Sequence, residues 1–111
     1  MNTKQLAGKN IEVDKEGYLR NLNDWSEEIA EIIAQEENIN LTQDHWAIVH
    51  LLREFYKAFD VSPAMRPLVK YVGIHLGKEK ANSIYLLTLF PPSPARVASK
   101  IAGLPRPANC L

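Results

Sequence analysis

The sequence predicts a mainly α (α+β) protein: a compact helical domain of about five helices with a small N-terminal β-hairpin and a flexible C-terminal arm. Three observations lead there. Apolar residues recur at helical spacing in several successive runs, most of them opened by a capping residue. Near the start, Ile11-Glu12-Val13 alternates with a period of two instead. The last segment, residues 104–111, holds Pro105 and Pro107 and has no periodicity at all. A chain of 111 residues, 46% apolar and 23% charged, is the right size and composition for one domain around one core. The expected division is a body at residues 1–103 and an arm at residues 104–111.

Each element has its own signal. Ile11-Glu12-Val13, the turn Asp14-Lys15-Glu16-Gly17 and Tyr18-Leu19 read as strand, turn and strand. Asp24, with Glu27 three residues on, fits a capping box, and Trp25, Ile29, Ile32 and Ile33 form the stripe of a first helix. Thr42 caps a second, longer helix with Trp46, Val49, Leu52, Phe55, Tyr56 and Phe59 on its apolar side. Ser62-Pro63 reads as a cap with proline at the first helical position, opening a third helix towards Leu76 and Gly77. Pro67 then lies far enough inside to make the first turn irregular. Lys78 to Phe90 reads as a fourth helix ended by Pro91-Pro92. Ser93-Pro94 repeats the cap-plus-proline signal for a short fifth helix, which Gly103 is placed to terminate in a left-handed conformation.

Composition excludes several classes of function. No window approaches the ~18 apolar residues of a membrane span. Met1 to Asn10 carries two lysines without an apolar run after them, so a cytoplasmic protein is expected, with no membrane association. Histidines 45, 50 and 75 have no metal-ligand spacing, and the five glycines are isolated, so neither a metal site nor a phosphate-cradling loop is expected. No cofactor is expected, and no Ser-His-Asp set or carboxylate pair stands out. The turn at Asp60–Pro63, followed by Arg66 and Lys70 four apart, is compatible with a helix-turn-helix, but charges on an amphipathic helix are commonly just solvated. Charge is segregated: four basic residues face ten acidic ones in residues 1–52, against nine and three in residues 53–111. Either a basic face meets an anionic partner, or the two halves neutralise each other within the fold.

Cys110 is the one cysteine, so no internal disulfide is possible. It is penultimate, on a proline-containing tail, where a thiol in a reducing compartment is available as a nucleophile. An incidental cysteine is the alternative on these grounds.

The tail Lys100-Ile101-Ala102-Gly103-Leu104-Pro105-Arg106-Pro107-Ala108-Asn109-Cys110-Leu111 resembles the C-terminal signature of the TusE/DsrC family. The resemblance runs over nearly the whole chain, through Gly17-Tyr18-Leu19, Trp25-Ser26-Glu27, His45-Trp46, Ser62-Pro63-Ala64, Asn82-Ser83-Ile84-Tyr85-Leu86 and Leu89-Phe90-Pro91. It implies a helical domain with an N-terminal hairpin and a mobile arm. Members that work with dissimilatory sulfite reductase resemble this chain but carry a second cysteine where Ser99 stands, ten residues separating it from the penultimate one. A serine there implies the sulfur-carrier branch, in which Cys110 is the catalytic residue. In that role it takes sulfane sulfur as a persulfide from a TusBCD-type donor complex. It then passes the sulfur to a tRNA 2-thiouridylase of the MnmA type with its tRNA. Arg96, Lys100 and Arg106 are the candidate partner-binding residues, and Arg106 would help the thiolate form. A DsrC-like role beside a sulfite reductase and a helix-turn-helix regulator are the alternatives.

Overall fold

A computed structural model describes residues 2–108; Cys110 and the other residues at the two ends lie outside that range. Two strands, β1 (Asn2–Leu6) and β2 (Lys9–Val13), are followed by five helices: α1 (Glu27–Glu36), α2 (Gln43–Phe59), α3 (Met65–Leu76), α4 (Ser83–Leu89) and α5 (Pro94–Ile101). Short 3-10 turns at Leu22–Asp24 and Lys78–Lys80 lead into α1 and α4.

The hairpin is real but sits earlier than its sequence signal. β1 and β2 pair antiparallel, Asn2 opposite Val13 and Leu6 opposite Lys9. The two turn residues, Ala7 and Gly8, both have positive φ (52° and 77°), the conformation whose twist suits a two-residue hairpin. Leu6, Ile11 and Val13 point into the core. Tyr18-Leu19 is not a strand: beyond the turn at Asp14–Gly17 only Leu19 bridges to Val13.

The cap of α1 is Ser26 rather than Asp24. Its hydroxyl accepts the Ile29 N–H at 3.2 Å, while Asp24 belongs to the preceding 3-10 turn. Trp25 therefore stays outside the helix, and Ile29, Ala30, Ile33 and Ala34 form the buried stripe. Thr42 does cap α2, and its capping-box partner is a histidine: the Thr42 N–H donates to His45 Nδ1 at 3.1 Å. Nδ1 must then be an acceptor, so the ring is the neutral Nε2–H tautomer and donates to the Leu89 carbonyl at 2.8 Å. His45 thus ties the start of α2 to the end of α4. The core side of α2 is Ile48, Val49, Leu51 and Leu52, while Phe59 lies exposed beside Phe55 and Tyr71.

Helix α3 begins at Met65 with Ala64 as its cap, so Ser62-Pro63 lies outside it. Pro67 is then in the first turn, where no backbone N–H has an intrahelical partner, and it does not disrupt the helix. The segment predicted as one helix from Lys78 is divided, because Asn82 is extended and caps α4 by accepting the Tyr85 N–H at 2.7 Å.

Helix α5 is the hub. Pro94, Ala95, Val97, Ala98, Ser99 and Ile101 are buried, and the helix packs on α1, α2, α3 and α4. Ser93 and Pro94 open it as the sequence predicts. Its end is a Schellman motif: the Leu104 N–H reaches the Ser99 carbonyl at 3.0 Å, the Gly103 N–H reaches Lys100 at 3.1 Å, and Gly103 has φ +75°.

Candidate functional site at the root of the C-terminal arm

The backbone leaves α5 in a direction fixed by three anchors that meet at Trp25. The Trp25 indole N–H donates to the Ile101 carbonyl at 2.8 Å, and Arg53 Nη1 donates to the Ala102 carbonyl at 2.7 Å. These two donors satisfy carbonyls that a helix end leaves without intrahelical partners. The Arg53 guanidinium also lies 4.1 Å from the Trp25 ring centre, a cation–π contact. Burial lowers the Arg53 pKa from its ordinary value, but an arginine so placed stays charged at neutral pH. The third anchor is Gly103: a Cβ there would fall 2.4 Å from Trp25 Cδ1. Trp25 closes over the glycine, so this position serves as a packed exit.

The root of the arm lies on the body. Leu104 and Pro107 are buried. Between them the Pro105 carbonyl accepts a hydrogen bond from the Ser62 hydroxyl, at 2.5 Å. That bond explains why Ser62 is not a helix cap: its oxygen is used across 43 residues of sequence instead.

The three candidate basic residues are brought together on one side of α5, and each meets a carboxylate. Arg96 pairs with Glu16 at 3.1 Å, and Arg106 pairs with the other oxygen of the same carboxylate. Lys100 pairs with Glu37 at 3.2 Å and lies 5.8 Å from the Tyr18 ring centre. Glu16, Glu37, Arg96 and Lys100 line a cavity of about 280 Å³ with Ser93 and Pro92. Together with Asp44–Lys80, these pairs join the acidic first half to the basic second half, so the charge segregation is in good part neutralised within the fold.

A second cavity of about 260 Å³ borders Leu104 on the opposite side, lined by Leu22, Asn23, Arg53, Glu54, Tyr56 and Lys57. A third concavity, about 550 Å³, runs along the acidic face of α1 and is lined by no nucleophile. Among the described residues no group of three histidine, cysteine or acidic side chains could hold a metal ion. Arg66 and Lys70 lie exposed on α3 with the exposed Ile74 four residues further on. His50 stacks on Trp46 with its Nε2 3.4 Å from Glu27, and His75 packs on Tyr71. No helix among the described residues is long and apolar enough to cross a membrane.

Cys110, the predicted catalytic residue, lies outside the described residues, two positions beyond Ala108. Ser99 is fully buried, and among the described residues its hydroxyl has no hydrogen-bond partner. No functional role is legible in the sequence for Glu16, Trp25, Arg53 or Ser62, although Trp25 and Ser62 lie in segments that carry the family resemblance. Their partners lie 43 to 90 residues away, a separation that no local pattern encodes.

Fold and site together define a class: a small helical scaffold that fixes the root of a thiol-bearing tail, without an assembled catalytic cluster among the described residues. Residues 5–111 match the family model described as DsrC like protein. The chain is 52% identical over 106 residues to Sulfurtransferase TusE of Photorhabdus laumondii, covering 96% of each. The solution structure of Allochromatium vinosum DsrC is 49% identical, with a TM-score of 0.88 over 99% of this chain and 98% of that one. The oxidized gamma-subunit of dissimilatory sulfite reductase (DsrC) from Archaeoglobus fulgidus is 35% identical, with a TM-score of 0.84 over 99% and 100%. The chain belongs to the DsrC-like family and stands among its sulfurtransferases.

Proposed function

We propose that this protein is a sulfur carrier that accepts sulfane sulfur as a persulfide on Cys110 and passes it towards 2-thiolation of the tRNA wobble uridine. The observation that carries the reading is that Cys110 is the one cysteine of 111 residues. A sulfurtransferase that holds its cargo on a thiol has no other residue to use. The chain is about as similar to a sulfurtransferase as to a DsrC protein, 52% and 49% identical, so overall identity does not choose between the two roles. Ser99 supports the carrier reading, because a disulfide or a trisulfide within the chain needs two cysteines.

The chemistry is a displacement. The Cys110 thiolate attacks the terminal sulfur of a donor persulfide, the donor's S–S bond breaks, and the donor thiolate leaves as a new S–S bond forms on Cys110. Nothing is oxidised or reduced overall. A second thiolate, on the thiouridylase, repeats the step and carries the sulfur away. The donor is a TusBCD-type complex and the acceptor an MnmA-type enzyme with its tRNA. The body, residues 1–103, positions the root of the arm, residues 104–111, whose end reaches into each partner in turn.

Transfer of labelled sulfane sulfur tests this. The wild type acquires label from a donor persulfide and releases it to reductant, and Cys110→Ser acquires none. Label on Cys110→Ser at the wild-type level would overturn the assignment.

A further inference from the structure

Glu16 projects from a turn with an internal frame. The Asp14 side chain accepts the Glu16 N–H at 2.8 Å and the Tyr18 N–H at 3.0 Å. The Gly17 N–H reaches the Asp14 carbonyl at 3.0 Å, and the Asp14 N–H reaches the Tyr18 carbonyl at 2.8 Å. Gly17, at φ +90°, supplies the left-handed residue, and Lys100 covers the space beside it. From this frame one carboxylate oxygen takes Arg96, on the hub helix, and the other takes Arg106, on the arm. A carboxylate accepts such a pair without giving up either oxygen.

We propose that Glu16 is a positioning residue for the arm: by bridging Arg96 and Arg106 it latches the root of the arm, residues 104–108, against α5, and a reporter on Cys110 senses whether that latch holds. The proposal rests on the reading of Cys110 as the working thiol. Arg96 keeps the carboxylate aimed along α5, and Arg106 is the moving half of the latch, four residues before Cys110. The other anchors of the root differ in kind. Leu104 is held by burial and Pro105 by the Ser62 hydroxyl, neither of which salt screens. The Glu16 carboxylate and the Arg106 guanidinium are 40% and 52% exposed, so their attraction is modest and ionic strength weakens it. Such a latch biases the arm and still yields when a partner docks.

A nitroxide attached to Cys110 of the full chain reads the latch directly, since no other thiol takes the label. Wild type, Glu16→Gln, Arg106→Gln and the double variant are compared at low salt, by the ratio of mobile to immobile label in the electron paramagnetic resonance spectrum. Each single variant raises the ratio about two- to five-fold, the effect of losing one partly exposed ion pair. The double variant rises no further than either single one, because both remove the same link. High salt brings the wild type to the same ratio and leaves the double variant unchanged. Equal ratios in all four proteins, or single effects that add in the double variant, would overturn the latch. Arg106→Gln changes only an exposed arm side chain, so it keeps the comparison decisive even if Glu16→Gln loosens the turn. No sulfur moves in this experiment, so its failure leaves the persulfide role standing.

Discussion

At the scale of single residues, Ser99 carries the clearest energetic signature. Among the described residues its buried hydroxyl has no partner, a state that costs about 1–3 kcal/mol relative to a satisfied or absent group. Ser99→Ala removes that cost and introduces the best helix former inside α5. A gain of about 1 kcal/mol is expected, seen as a rise in Tm of about 4–8 °C; a lower Tm would show that the hydroxyl is bonded in solution. Ser99→Cys places a small, weakly polar side chain in the same slot. In the native protein, Ellman's reagent should then count one fast thiol, Cys110, with the second appearing only on denaturation. Two equally fast thiols would mean that α5 does not hold position 99 inside. The sequence singled out Ser99 and Cys110 by chemistry alone, since residue type at fixed spacing is local information. It was silent on Glu16, a turn residue whose partners, Arg96 and Arg106, lie 80 and 90 positions away.

Among the elements, α5 shows which structural signals are legible in sequence and which are not. Its start at Pro94 and its end at Gly103 were readable because proline at the first helical position and a left-handed glycine stop both act on neighbouring backbone groups, although the Ser93 side chain makes no cap bond. Ser62-Pro63 carries the same local signature, yet its serine is spent on the Pro105 carbonyl and the helix begins three residues later. Only the tertiary partner distinguishes the two. The hairpin was misplaced for a related reason: its turn puts Ala7 at positive φ, where glycine or asparagine is the usual sign. Gly103 is the element-scale prediction. Gly103→Val combines an unfavourable left-handed conformation with a side chain driven into Trp25, and should cost about 2–4 kcal/mol. The measurement is the urea midpoint, with no change in slope expected. An unchanged midpoint would show that Trp25 does not close over the helix end.

For the whole molecule, the proposed division of labour is between a body that holds direction and a thiol, Cys110, that carries cargo. Burial in α5, the Trp25 and Arg53 donors and the Ser62 bond all act on the root of the arm. The pairing of Glu16 and Glu37 with Arg96, Arg106 and Lys100 turns two charge blocks of the sequence into one cross-braced face. That face lies beside the arm, so a partner that docks there meets paired charges and must exchange ion pairs to engage them. The bracing groups named above all lie within residues 2–108, and Cys110→Ala is expected to melt like the wild type. The direct test of the central claim is intact mass after incubation with a cysteine desulfurase and upstream relay proteins. The account predicts one added sulfur atom on the wild type, removed by reductant, and none on Cys110→Ala. An unmodified wild type, or an Ala variant that gains the same mass, would contradict it.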